Sequence, residues 1–287
     1  DEASLWAAYQ AGEISGLGEV TQGLLAQVLV DEALKTYTSR LPQLGMVLLN
    51  LGNPELPFFQ QAEVRRALLL AINRQRIIDS LFNGQAIQAD GPILPGTWAY
   101  YNGIERVAYD PQAAIRLLRQ AGYTIPAAGG SVRTNEEGLR LEFELVYPDD
   151  PLHQAIAEQL QADWAVVGVD VTLTAAAYDQ LVGVWLDTRQ YQAALVDLNL
   201  SRSPDPDPYP FWHQAQITGG QNYSKWDDRQ ASEYLEQARI TLDLAERQRL
   251  YNNFQVRFSS ELPALPPSHP LHTYAVTPGL QGVAVGP

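Results

Sequence analysis

The sequence predicts an α/β fold in which strands alternate with helices and the strands form a largely parallel sheet. Between residues 139 and 198, an alternating apolar run is followed by a helix that begins at Pro151. Two further apolar runs, 169–174 and 191–198, are separated by a helical stretch. Strands connected in this way by short links imply right-handed crossovers. Ligands are therefore expected beyond the carboxyl ends of the strands.

An additional helical portion is predicted within residues 57–123, where two helices flank a Pro- and Gly-rich connection. Asn73 is expected to cap a second turn that ends at Gly84, and Asp110 with Pro111 is expected to begin the later helix. The connection between the helices is expected to be exposed. The first helix is predicted from one apolar stripe, which consists of Val64, Ala67, Leu68, Ala71 and Ile72.

The rest of the chain divides into short segments. Residues 1–41 are predicted to form two helices, and the apolar run 46–51 a strand. Residues 199–226 contain four prolines and several aromatic residues, which is typical of a binding loop held by a scaffold. Two helices are expected after that loop, followed by a short strand at 272–276.

Composition narrows the class of protein. The chain has 287 residues, 46% of them hydrophobic, and a formal net charge of −14, which disfavours nucleic-acid binding. It has no cysteine, and this excludes disulfides, thiolate metal sites and a cysteine nucleophile. No leader opens the chain and no run is long enough to cross a membrane, so we expect that a leader has been removed or that residue 1 is not the natural start.

Three ordered segments carry a family resemblance. They are VRRALLLAINRQRIID (64–79), GPILPGTWAY (91–100) and YDPQAAIRLLRQAGY (109–123). In this order they resemble the family 5 solute-binding proteins of ABC importers, which include the oligopeptide, dipeptide and nickel binders. The run from GGQNYSKW (219–226) onward is similar to the closing segment of the same family.

The resemblance implies a type II periplasmic-binding-protein-like lobe. It implies that residues 1–287 are the second, C-terminal lobe, with a helical portion (57–123), an α/β portion (139–260) and a strand (261–287) that crosses toward a missing N-terminal lobe. It further implies capture of a solute outside the cell and delivery to an ABC permease. Oligopeptides are the first expectation, and oligosaccharides or nickel complexes follow. The protein is expected to be extracellular or periplasmic and anchored through a lipidated N-terminus.

The expected ligand contacts combine loop carboxylates with aromatic residues. The resemblance implies an Asp in the 199–226 loop that holds a peptide α-amino group, but alignment on Pro208 and Phe211 places Pro204 there. This departure disfavours ordinary dipeptide specificity and leaves two alternatives: an uncharged or sugar-like ligand, or Asp205 or Asp197 in this role from a shifted position. Asp-Pro pairs also form ordinary turns. Aromatic rings suit stacking on a peptide or a sugar. The predicted ligand-binding residues are Trp98, Tyr100, Asp197, Asn199, Arg202, Asp205, Trp212, His213, Asn222 and Tyr223.

Other functions remain as alternatives. Asp205 and Asp207 could serve as the two carboxylates of a glycosidase or peptidase, yet no known catalytic motif is present. A ligand-sensing module of a signalling protein is also possible. Only His269 and His272 lie close together, so no metal site and no cofactor are expected.

Overall fold

The computed structural model describes residues 1–200 and 205–283. The helices are α1 (Glu2–Gln10), α2 (Gln22–Val30), α3 (Ala62–Ala71), α4 (Arg74–Leu81), α5 (Pro111–Gln120), α6 (Pro151–Val166), α7 (Tyr178–Gln180), α8 (Tyr209–Trp212), α9 (Arg229–Ile240) and α10 (Leu244–Glu261). The strands are β1 (Gly16–Leu17), β2 (Lys35–Arg40), β3 (Gln43–Leu49), β4 (Ala86–Gln88), β5 (Glu142–Pro148), β6 (Asp170–Ala176), β7 (Ala193–Asn199), β8 (Ala264–Leu265) and β9 (Ser268–Val276). A π-helical turn, Leu181–Leu186, continues α7.

The larger sheet has the strand order β6-β5-β7-β3-β8. Strand β5 is parallel to both β6 and β7, which confirms the predicted strand–helix–strand–helix–strand unit. Strand β3 is antiparallel to β7 and β8, so the sheet is mixed. The carboxyl end of β7 therefore lies beside the beginning of β3, with Asp197 opposite Gly45.

Helices cover both faces of this sheet. Alternate residues of β3 belong to different cores, since Val47 packs into one hydrophobic cluster and Met46 into the other. The first cluster includes Trp164 of α6 and the apolar stripe of α3. The second includes Phe254 and Phe258 of α10. Burial on both faces explains why β3 and the first half of β7 are continuous apolar runs.

The smaller sheet is centred on β9, which pairs antiparallel with β1, β2 and β4. The prediction that residues 1–41 form only helices is wrong for residues 35–40. This segment, KTYTSR, alternates in exposure with a period of two and contains β-branched and aromatic residues, which favour a strand. The Thr38 and Thr273 hydroxyls lie 2.8 Å apart across the pair, and the rings of Tyr37 and Tyr274 stack.

The predicted helix boundaries in the helical portion are confirmed. The Asn73 side chain accepts a hydrogen bond from the backbone N–H of Arg76, and Asp110 accepts one from Ala113. Gly84 has a φ of +77°, a conformation that glycine adopts without steric cost.

The prediction that the connection is exposed is wrong. Segment 83–110 contains buried side chains, such as those of Ala89, Ile93 and Ala99. The side chain of Arg74 makes this burial possible. It is also buried, and it donates hydrogen bonds to the carbonyl oxygens of Ala89, Val107 and Pro266. A guanidinium carries five N–H donors, which suits an irregular segment whose carbonyl groups lack strand partners. Within residues 1–200 and 205–283, no helix combines the length and the apolar character that a bilayer span requires.

Candidate functional site

An open cleft of about 610 Å³ lies at the carboxyl end of β7. Its floor is formed by residues 196–200. One wall comes from the connection around Leu94 and Thr97, and another from α7 and the π-helical turn. Residues 205–208 and 210–212 also line the cleft, together with Pro42, Gln221 and Tyr223. The volume is within the range of small-molecule sites, and the position at the strand ends is the one predicted for an α/β sheet.

The charged residues among the described lining of the cleft are three aspartates: Asp197, Asp205 and Asp207. Two of them are held by arginines. Asp205 lies 2.7 Å from a guanidinium nitrogen of Arg247 on α10, and Asp207 lies 2.7 Å from one of Arg239 on α9. These ion pairs fasten the proline-rich segment to two helices. Because those two charges are balanced, the net negative charge of the described lining comes from Asp197, which suits a ligand that carries a positive charge or several hydrogen-bond donors.

Asp197 has a different partner, the imidazole of His153. The Nε2 atom of His153 lies 3.3 Å from Oδ2 of Asp197, and Nδ1 lies 2.6 Å from Oδ2 of Asp150. Asp150 is also the N-cap of α6 and accepts hydrogen bonds from the backbone N–H groups of Leu152 and His153. The Asp197 side chain is 41% exposed, whereas that of His153 is 14% exposed.

The geometry of the Asp150–His153–Asp197 array determines which protonation state of His153 is favoured. Burial alone would lower the pKa of His153, but the hydrogen bonds and charges of Asp197 and then Asp150 outweigh burial and raise the pKa. Burial alone would likewise raise the pKa of Asp150. The backbone and the side chain of His153 both donate hydrogen bonds to Asp150, and the charge of the imidazolium adds to them. These interactions outweigh burial and lower the pKa of Asp150. The array therefore favours an imidazolium between two carboxylates.

The cleft brings together half of the predicted ligand-binding residues. Asp197, Asn199, Asp205 and Tyr223 line it, together with one edge of Trp212. Trp212 is only 2% exposed, and its ring packs edge-on against Phe258 in the core. The Tyr223 hydroxyl donates to Asp187, and the Arg189 guanidinium lies 4.6 Å from the centre of its ring. Tyr223 is therefore held in place before any ligand enters.

Four predicted residues lie outside the lining of the cleft. Trp98 packs beside Tyr251 and under the Arg247 guanidinium, and its carbonyl oxygen accepts a hydrogen bond from Gln248. Tyr100 is half-buried, and burial followed by the charge of Asp90 raises its pKa. The loop reaches the cleft through Thr97 instead.

His213 and Asn222 are buried, and the chain itself uses their polar atoms. His213 lies 2.9 Å from Glu236 through Nε2 and accepts the N–H of Ala215 through Nδ1. Asn222 donates to the carbonyl oxygens of His213 and Trp226 and accepts the N–H of Trp226. Both residues shape the segment behind the cleft. Arg202 and Pro204 lie outside the described residues.

The sequence interpretation missed His153, Arg239 and Arg247. Asp150 and Asp197 each lie close to the carboxyl end of a strand, and those strands are neighbours in a parallel pair. This pattern was available in the sequence and could have indicated that the two carboxylates and His153 converge. The two arginines lie on helices far along the chain, and only the tertiary structure brings them to the loop.

Comparison with known proteins defines the class. Residues 1–223 match the sequence profile of the bacterial extracellular solute-binding proteins, family 5 (middle). The chain belongs to this family, as the motifs at 64–79, 91–100 and 109–123 predicted.

Individual relatives are similar to most of the chain in sequence or in structure. The dipeptide-binding protein of Escherichia coli (strain K12) is 27% identical over 250 residues, which make up 86% of this chain and 44% of that protein. The oligopeptide-binding protein AppA from Bacillus subtilis, solved with a nonapeptide, has a TM-score of 0.81 at 22% identity and covers 99% of this chain and 56% of that chain. NikA from Brucella suis, solved with Fe(III)-EDTA, has a TM-score of 0.83 at 22% identity, and the match covers 100% of this chain and 57% of that chain. The fold is thus that of type II periplasmic binding proteins, and the chain spans about half the length of these relatives.

Proposed function

We propose that the chain is the ligand-holding second lobe of a solute-binding protein that captures an extracellular solute and delivers it to an ABC permease. The observation that carries the proposal is the acidic cleft at the carboxyl end of β7, in a chain of this family. Ligand capture would proceed by closure of two lobes, because contacts made by both lobes stabilise the closed state. The division into portions 57–123, 139–260 and 261–287 and the missing N-terminal lobe belong to this proposal.

The proposed ligand is an oligopeptide whose amino terminus is held by Asp197. Asp205 and Asp207 are held by arginines, whereas within residues 1–200 and 205–283 the ion-pair partner of Asp197 is His153, so Asp197 is the cleft carboxylate best placed to hold an ammonium group. Oligosaccharides and nickel complexes are the alternative ligands, since this fold accommodates very different solutes. The protein is proposed to lie outside the cytoplasmic membrane, attached through a lipidated N-terminus.

The proposal is tested with the full-length protein, read from its natural reading frame. A panel of short peptides, maltooligosaccharides and nickel–histidine is screened by thermal shift, and binding is measured by calorimetry. Peptides with a free amino terminus are expected to bind. Asp197→Asn is expected to lower their affinity by about 10- to 100-fold, the usual range for loss of one charge-assisted hydrogen bond. Asp170→Asn, an exposed carboxylate on the outer strand β6, is the matched control. Tight binding of sugars alone would replace the peptide proposal.

The isolated chain is expected to bind these peptides weakly or not at all, because one lobe supplies only part of the buried surface that drives affinity. Sub-micromolar binding by the isolated chain would contradict the two-lobe mechanism.

The catalytic alternative predicts turnover of chromogenic glycosides or peptides that Asp205→Asn abolishes. Both loop carboxylates are engaged with arginines on separate helices, which does not suit an opposed acid and base. The sensing alternative is tested by the genes that lie beside the full-length gene. Neighbouring permease genes would favour import over sensing.

A further inference from the structure

The imidazole of His153 is positioned between two carboxylates, and this arrangement restricts its protonation state. A neutral imidazole has one N–H and one lone pair. With the proton on Nδ1, the Nε2 lone pair would face Asp197. With the proton on Nε2, the Nδ1 lone pair would face Asp150 at 2.6 Å. Only the imidazolium donates to both carboxylates, so it is the form that satisfies this geometry.

Each carboxylate is supplied by a different element. Asp150 ends the β5–α6 link and is fixed by two backbone N–H groups at the start of α6. Asp197 comes from β7, and Gly45 of β3 lies opposite it, where an added Cβ would come within 3.6 Å of Asp197 Oδ1. In the described part of the chain, Asp150 and Asp197 are the charged groups that face the ring.

We propose that His153 is a positioning residue that holds Asp197 in the cleft and makes the capture of a cationic ligand dependent on pH. The proposal rests on the proposed function of the cleft. The imidazolium binds Oδ2 of Asp197 and leaves the other carboxylate oxygen for a ligand ammonium. It also places a positive charge beside that ammonium, so the two cations compete for one carboxylate.

The competition has a definite sign. Loss of the proton from His153 changes the charge of the Asp150–His153–Asp197 array from −1 to −2. A ligand ammonium is therefore held more tightly as pH rises through the pKa of His153. By linkage, a bound ammonium must lower the pKa of His153 to the same extent. Two charges about 6 Å apart interact strongly enough to change affinity by roughly 3-fold at the dielectric constant of water and by roughly 100-fold at the lower value typical of a protein surface, and a tenfold change lies inside that range.

The first test follows His153 itself in the isolated chain by NMR titration of the imidazole signals, with the His153→Gln spectrum to assign them. The pKa is expected above 6.5, the ordinary value for histidine, and it is expected to fall in both Asp150→Asn and Asp197→Asn. A pKa at or below 6.5 in the unchanged protein would overturn the positioning role, whatever the cleft binds.

The second test uses calorimetry on the full-length protein with trialanine as the cationic probe and N-acetyl-trialanine as its uncharged-terminus control. Trialanine affinity is expected to rise about tenfold across the titration of His153, whereas the acetylated peptide shows little change. His153→Gln retains an N–H donor group but carries no charge, so the trialanine affinity of this variant should lose this pH dependence.

The outcomes separate the two proposals. Trialanine affinity that does not change with pH would overturn the coupling but leave the cleft as a peptide site. Failure of both peptides to bind at any pH would remove the proposed peptide function and the coupling that rests on it. The role of His153 in holding Asp197 would then be decided by the NMR titration alone.

Discussion

At the residue scale, two histidines of the same chain are perturbed in opposite directions by their surroundings. His153 lies between carboxylates, which raise its pKa above the ordinary value. His269 on β9 is 1% exposed, and its pKa is lowered to about 4, first by burial and also by the charge of Arg40, against the hydrogen bond to the Gln43 carbonyl oxygen. His153 therefore favours the folded state while it is charged, and His269 while it is neutral.

The lowered pKa of His269 predicts a loss of stability in mild acid. The neutral form is preferred in the folded state, so its contribution is complete above the unfolded pKa of about 6.5 and is lost as pH falls toward 4. A difference of this size corresponds to about 3 kcal/mol. Urea unfolding of the isolated chain at a series of pH values should show this decline, and His269→Gln should flatten it between pH 6.5 and 4.

His272→Gln is the matched control, since it changes a half-buried histidine on the same strand. The control should retain the wild-type decline in unfolding free energy. If His269→Gln and the wild type decline in parallel over this pH range, the decline has another origin.

At the scale of elements, caps and buried arginines define the helical portion. Helix α5 begins at the Asp110 cap and packs against α3, and Asp110 N–H also donates to the carbonyl oxygen of Leu70 at the end of α3. Arg65 and Arg74 are buried and bond to carbonyl groups of distant segments, including residues 261–262 and 266. These bonds connect the helical portion to the segment that leads into β9.

The cap of α5 gives a prediction that isolates one hydrogen bond. Asp110→Ala leaves the N–H of Ala113 without its partner and should lower the free energy of unfolding by about 1 kcal/mol. Asp110→Asn should retain most of the stability, because an amide oxygen can also accept that hydrogen bond. Denaturant midpoints at an unchanged m-value provide the measurement. An equal loss in both variants would indicate that the charge, and not the cap, is responsible.

At the scale of the whole molecule, the two sheets differ in how deeply they are buried. Strand β7 is central in the larger sheet, and its residues 193–196 are all buried. Strand β2 lies at the edge of the smaller sheet and is largely exposed. The sheets are joined by two short connections, Leu41–Pro42 between β2 and β3 and Pro266–Pro267 between β8 and β9.

This difference predicts the pattern of hydrogen exchange. The amides of β7 should exchange only when the larger sheet opens, whereas those of β2 exchange through local opening of an edge. In the isolated chain, hydrogen–deuterium exchange should therefore be on the order of 100-fold slower for β7 than for β2. Equal protection of both strands would mean that the two sheets unfold as a single cooperative unit.

The sequence by itself determined the local elements and the family. The apolar runs predicted β3, β5, β6 and β7 and the stripe of α3. Asn73 and Asp110 were recognisable as caps because capping depends on neighbours three residues away. The motifs around residues 64–123 determined the family, and the strand–helix alternation placed the cleft at the strand ends.

Only the tertiary structure decided which side chains reach the cleft. Nothing local distinguishes Asp197, which faces the cleft, from Asn222, which is buried by contacts with residues on either side of the loop. The partners of Asp197, Asp205 and Asp207 lie 32 to 44 residues away along the chain. The burial of residues 83–110 likewise depends on Arg74, which reaches a carbonyl group 192 residues further on. The packing of sheet and helix layers determines which distant segments come into contact. A periodic pattern within one segment does not specify those contacts.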